Sequence, residues 1–202
     1  AGPPVAIEQL RTAGIPVSVI ACLPTENGAR AKILDIAKVL SAFERGTQLV
    51  AQLDKDLERA RHIPQATQPS VLFLYARGGG TLLVGGAETN IDEMIRLAGA
   101  TNTAAALRGY KPLSAEALIG ARPDVLLVTS RGLESLGGLD GIRRLPGLGL
   151  LSAAAQPAVI VLDDLLLLGF GPRLGQAVAE LRTKLTAVSR PETSTLATAV
   201  HP

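Results

Sequence analysis

Hydrophobic and polar positions along this chain follow two different periods. Residues 71–75, 124–129 and 158–162 are short, nearly continuous apolar runs rich in Val, Leu and Ile. Runs of that kind predict strands buried on both faces of a parallel sheet. Residues 91–98, 114–121, 139–145 and 171–188 lie between and after them and read as helices. Asn90 with Glu93 three positions on makes a capping-box start for the first of these helices, and Gly99 closes it. Ser114 is placed to cap the second, which Pro123 ends. Alternating strands and helices predict an α/β domain over residues 70–188.

Upstream the pattern changes. Residues 5–12 predict a short helix ending near Gly14, and the β-branched stretch 15–20 predicts a strand. No strand precedes it, so residues 1–26 read as the remnant of an N-terminal lobe. Two amphipathic helices follow within residues 27–63, at 27–40 and 44–62, the second about 28 Å long at the usual helical rise. Its length and charged outer face suit a brace between two lobes. Residues 64–69, Pro-Gln-Ala-Thr-Gln-Pro, form the clearest linker, and the polar stretch 189–202 reads as a tail.

Composition narrows the function. Hydrophobic residues make up 47% of the 202 and aromatics only 2%, so an aliphatic core is expected. No apolar run approaches the roughly 20 residues needed to span a bilayer, which predicts a soluble chain without membrane insertion. The net charge of +2, from 20 basic and 18 acidic residues, is too balanced for a duplex-binding protein, so no nucleic acid is expected. The single cysteine, Cys22, excludes an internal disulfide and reads as a buried apolar thiol.

Candidate chemistry gathers at the predicted strand ends, where open α/β sheets bind their ligands. Arg77-Gly78-Gly79-Gly80 follows the first strand, Ser130-Arg131-Gly132 the second, and Gly169-Phe170-Gly171-Pro172-Arg173 lies beyond the third. Glycines let a ligand approach the backbone, and three arginines at one edge suit a ligand bearing carboxylates. A tight turn with a solvated arginine is the plainer reading of each. Gly169, Gly171 and Gly175 miss the GxGxxG spacing of a dinucleotide site, and no P-loop is present. His62 and His201 lack companions at metal-ligand spacing, and neither they nor Cys22 sits in a catalytic motif. Asp163-Asp164 reads as a capping or turn pair. Of the two tyrosines, Tyr75 ends a strand and Tyr110 is the better placed to face a cleft.

Several stretches together resemble the haem-binding periplasmic proteins of bacterial haem ABC importers. They are Ala1-Gly2-Pro3-Pro4, Asn27-Gly28-Ala29-Arg30-Ala31-Lys32, Leu72-Phe73-Leu74 with Gly78-Gly79-Gly80, and Met94-Ile95-Arg96-Leu97-Ala98-Gly99. Arg122-Pro123-Asp124 also matches but is common among related carriers. The more specific runs are Gly109-Tyr110-Lys111-Pro112-Leu113-Ser114 and Leu167-Leu168-Gly169-Phe170-Gly171-Pro172-Arg173. The resemblance implies a bilobal class III periplasmic binding protein fold, here with an incomplete N-lobe, a long linking helix and a complete C-terminal α/β lobe. It implies a periplasmic carrier, not an enzyme, that holds haem in the cleft between lobes and delivers it to an inner-membrane permease. Family members usually ligate the iron through an N-lobe tyrosine upstream of Ala1. Some add a second ligand near the glycine run, where this chain has Arg77, which cannot serve as one. The resemblance makes Glu116 the C-lobe contact to the permease; by position alone it is an acidic residue favoured by a helix dipole. Ligand contacts are expected from Arg77, Gly78, Gly79, Tyr110, Arg131, Phe170 and Arg173, the arginines toward propionates and Tyr110 and Phe170 along the rim. A same-class carrier of a ferric siderophore or cobalamin, a nucleotide-using α/β enzyme, and an isolated lobe without ligand are the rival readings. An unpaired edge of the first lobe could join a second chain into an oligomer.

Overall fold

The computed structural model describes residues 4–76, 82–150 and 156–188. The central strands fall where the apolar runs predict them: β1 is Ser70–Ala76, β5 Val125–Thr129 and β6 Ala158–Leu162. These three run parallel, with Val71 opposite Val125 and Val125 opposite Ala158. On the other side of β1, β2 (Leu82–Gly85) and β4 (Tyr110–Pro112) add antiparallel, and the two-residue β3 (Thr101–Asn102) pairs with the start of β1. The order across the sheet is β4-β2-β1-β5-β6.

Side chains alternate across each strand, and both faces are covered. Val71, Phe73, Val125 and Leu127 face helices α3 (Phe43–Arg61), α4 (Asn90–Leu97) and α9 (Leu174–Val188). Leu72, Leu74, Leu126 and Val128 face α5 (Ala115–Ala121), α7 (Gly138–Arg143) and the 3-10 turn Leu148–Leu150. All five residues of β5 are buried, as a strand covered on two sides requires. Register between β1 and β5 is held by a clasp at their start. The Asp124 carboxylate accepts from the Ser70 backbone N–H and hydroxyl, both at 2.7 Å, and Ser70 Oγ accepts from the Asp124 N–H. The aspartate of Arg-Pro-Asp is thus a sheet-aligning residue.

Helix α2 (Glu26–Val39) lies antiparallel to α3. Arg61 and Arg30 donate to Glu26 at 2.7 and 3.1 Å, and Arg30 donates to Asp54 at 2.7 Å. Helix α3 in turn packs along α9, and at Gly175 the approach is so close that any side chain would collide with Asp56 and the Leu57 backbone N. The expected linker is tied down rather than loose: Arg182 of α9 donates to the Ile63 carbonyl and Thr186 to that of Pro64.

Several expectations are corrected. Helix α1 (Pro4–Thr12) buries none of its residues, and the stretch 15–20 forms no strand. β-branched residues favour a strand only where a ladder can form, and no described strand pairs with this segment. Cys22 is exposed rather than buried. Thr89, not Asn90, caps α4, its hydroxyl accepting from the Asp92 N–H. Helix α9 starts at Leu174, not at 171, and two short helices interrupt the predicted loops, α6 (Ser130–Ser135) and α8 (Asp164–Leu168). Residues 189–202 lie outside the described residues.

Two predictions follow from this packing. On helix propensity alone Gly175→Ala would stabilise by about 1 kcal/mol. The contact with α3 reverses the sign, and the urea midpoint is expected to fall; a rise would refute the close approach. Burial opposes ionisation of Glu26, but hydrogen bonds from Arg61 and Arg30 outweigh it and hold the carboxyl below its ordinary value of 4.5. Its ionised form therefore stabilises the fold above that value, and the contribution is lost as pH falls through the lowered one. The stability gap between wild type and Glu26→Gln should be widest near neutral pH and close in acid, as read by urea melts across pH.

Candidate functional site

The carboxyl ends of β1, β5 and β6 share one edge of the sheet, and short helices open directly from two of them. Thr129, the last residue of β5, caps α6 by accepting from the Gly132 N–H at 3.0 Å. Ser130 donates across to the Leu162 carbonyl that ends β6. Asp163 caps α8, accepting from the Leu166 N–H, while the Asp164 carboxylate accepts from the Arg131 N–H at 3.1 Å. The Asp163-Asp164 pair is a capping pair, and it ties the two strand ends together. The backbone at Arg131 is fixed by this, while the residue itself is exposed. Arg173, also exposed, stands just before α9. Neither arginine joins an ion pair among the described residues, so both guanidinium groups are available to an anion.

Phe170 is not on the rim. It is 1% exposed and belongs to the main core, in a left-handed backbone conformation with φ of 42°. That conformation costs a non-glycine residue about 1–2 kcal/mol, which burial of a phenylalanine ring offsets. Its role in this structure is to anchor the loop that carries Arg173.

The Tyr75 and Tyr110 rings meet with centroids 5.6 Å apart, and Phe73 continues the row at 6.3 Å. The contact follows from strand order, since β4 pairs with β2, which pairs with β1. Tyr110 is 40% exposed. Burial, then the neighbouring Tyr75, pushes its phenol above the ordinary value, so it is neutral at neutral pH. Arg77, Gly78 and Gly79 lie outside the described residues, between Ala76 of β1 and Leu82 of β2.

Glu116 is exposed in the first turn of α5, where Ser114 caps the helix by accepting from the Ala117 N–H. Its own backbone N–H, then the Ser114 hydroxyl, lowers its carboxyl pKa. Because Leu113 donates to the Leu82 carbonyl, the start of α5 lies toward the same sheet edge as the strand ends. A cleft of about 870 Å³ opens at the opposite edge, among Pro69, Leu118, Arg122, Asp124 and Pro157. Its one carboxylate, Asp124, is already committed to Ser70. Among the described residues no cluster of His, Cys, Asp or Glu could hold a bare metal ion, and no helix is long and apolar enough to cross a membrane.

Reasoning from sequence put Arg131 just after the second central strand and Arg173 beyond the third, where the structure has them, and did not anticipate the contacts of Lys32 and Asn90. The Lys32 ammonium donates to the Gly169 carbonyl at 3.0 Å, and the Asn90 amide to that of Leu168 at 3.3 Å. Both contacts span large sequence separations, and no local pattern marks them.

Comparison with known proteins agrees with this architecture. The profile described as "Periplasmic binding protein" matches residues 3–166. The periplasmic heme-binding protein RhuT from Roseiflexus sp. RS-1 superposes with a TM-score of 0.86 at 42% identity, over 94% of this chain and 74% of that one. The periplasmic heme-binding protein BhuT, solved with two hemes, gives 0.82 at 40% identity over 93% and 72%. The uncharacterised ABC transporter substrate-binding lipoprotein YvrC of Bacillus subtilis is 28% identical over 87% of this chain, which spans 55% of that relative's length. The chain belongs to the periplasmic binding protein family, and its strong likeness within that family is to haem-binding members.

Proposed function

We propose that this chain is a periplasmic haem carrier for an ABC importer, a binding protein rather than an enzyme. The observation that carries the reading is the 42% identity to a haem-binding protein over almost the whole chain. The strand-end edge supports it chemically. Haem is an apolar disc with two carboxylates on one side, and Arg131 and Arg173 offer unpaired cations there, with Arg77 between β1 and β2 as the third candidate. Arginine binds carboxylates through paired, charge-assisted hydrogen bonds. Gly78 and Gly79 would let the porphyrin approach the backbone. Tyr110, with Tyr75 beside it, offers an aromatic contact and a phenol oxygen of the kind that ligates ferric haem. Residues 70–188 would form the C-terminal lobe, residues 1–26 part of the first lobe, and α3 the brace between them. Glu116, ionised and exposed at the same edge, would meet a basic pocket of the permease, and a second copy could associate through the exposed first-lobe residues.

Haemin titration followed at the Soret band tests the reading. A saturable one-to-one shift is expected, and Arg131→Ala and Arg173→Ala should each weaken it about tenfold or more, the scale of one charged hydrogen bond. A non-saturating, linear response from the wild-type chain would overturn the proposal. Unchanged affinity in all of Arg77→Ala, Arg131→Ala and Arg173→Ala would remove the arginines from it. For Glu116→Lys, haemin affinity should stay unchanged while haem delivery to permease-containing vesicles falls; equal delivery would refute the docking role.

A further inference from the structure

The loop between α8 and α9 is held from outside by two polar side chains that come from other helices. Helix α8 is only five residues long, and its last carbonyls have no continuing helix to receive them. Lys32, on α2, donates to the Gly169 carbonyl, and Asn90, on α4, donates to that of Leu168. Thr89 caps α4, so the Asn90 side chain is not engaged at the helix start, and its amide reaches across to α8. The ammonium of Lys32 also lies where a cation is favoured, at a helix carboxyl end. Between the two donors the chain has little freedom. A side chain at Gly169 would collide with the Leu165 carbonyl, and Phe170 is buried at positive φ. Three residues after Phe170 comes Arg173, whose carbonyl accepts from the Ala177 N–H and so starts α9.

We infer that Lys32 and Asn90 are positioning residues, clamping the end of α8 so that the Phe170 turn presents Arg173 at the ligand edge. The inference rests on the haem reading, since it assigns Arg173 to the ligand's carboxylates. It also gives the α2–α3 hairpin a direct hold on the site. Helix α2 is locked to α3 through Glu26, Arg30, Asp54 and Arg61, so Lys32 transmits the position of that hairpin to the Arg173 loop.

The test uses the whole chain with Lys32→Met, Lys32→Arg, Arg173→Ala and the double variant Lys32→Met with Arg173→Ala. The first readout needs no ligand: amide hydrogen exchange in a peptide spanning residues 165–177 should speed up in Lys32→Met and return to the wild-type rate in Lys32→Arg. The second compares haemin with its dimethyl ester, which lacks free carboxylates. Lys32→Met should weaken haemin about fivefold, the scale of a modest positioning loss, and leave the ester unchanged. Lys32→Arg should recover most of that loss, and the double variant should bind no worse than Arg173→Ala alone. Unchanged exchange in Lys32→Met overturns the clamp. Faster exchange with equal losses for haemin and ester, or additive losses in the double variant, overturns the link to Arg173. If Arg173→Ala binds haemin as wild type does, Arg173 has no ligand role and the inference falls with it. A wild-type chain that shows no saturable haemin shift defeats the haem reading itself, whatever the exchange data show.

Discussion

The two-sided burial of β1 and β5 is the constraint on which the rest of this molecule depends. A parallel pair leaves no strand face for water, so each side must receive its own helical layer. Phe73 and Leu127 draw α3, α4 and α9 onto one face; Leu74 and Val128 draw α5 and α7 onto the other. With both faces occupied, the carboxyl edge is where the chain can open turns without losing core. The Ser70–Asp124 clasp at the amino edge keeps the strands in register, so the opposite ends of β1 and β5 stay level.

That levelling turns separate loops into one surface. The Thr129 and Asp163 caps are local hydrogen bonds, while the Ser130 contact to Leu162 and the Arg131 N–H contact to Asp164 reach from one strand end to the other. Together they hold the ends of β5 and β6 as one unit. They leave the Arg131 side chain outward, and the aromatic pair Tyr75–Tyr110 stands on the β1 side of the same sheet. Among the described residues no strand opens into its helix through a GxGxxG turn, so this edge does not have the dinucleotide-type phosphate cradle.

The helical hairpin of α2 and α3 is the mechanical counterpart. Its ion pairs join the two helices, Gly175 admits α3 close to α9, and Arg182 and Thr186 fasten the segment after α3. Apolar residues on its far end remain exposed, among them Leu40 and Phe43, as do Ile15 and Val19 upstream. RhuT, which this chain covers over 74% of its length, has further chain beyond the matched part. The elements from β1 to α9 build two buried core clusters, whereas α1 and residues 15–20 bury none of their residues.

Much of this was legible from residue order. Nearly continuous apolar runs at 71–75, 124–129 and 158–162 determined the three central strands, because a strand covered on both sides is apolar at most of its positions. Helical periodicity determined α2, α3 and α4, and the family-specific runs pointed to haem-binding relatives. Residues 15–20 show the limit: β-branching favours a strand, but only a partner ladder makes one, and none is described. Short elements such as β2, β4, α6 and α8 carry too few residues for a period to register. Tertiary structure alone decided that Phe170 faces the core, that Tyr110 meets Tyr75, and that Lys32 and Asn90 reach α8. Each depends on which elements become neighbours, and a contact such as Lys32 to Gly169, 137 residues apart, is set by packing of the whole fold rather than by any local sequence preference.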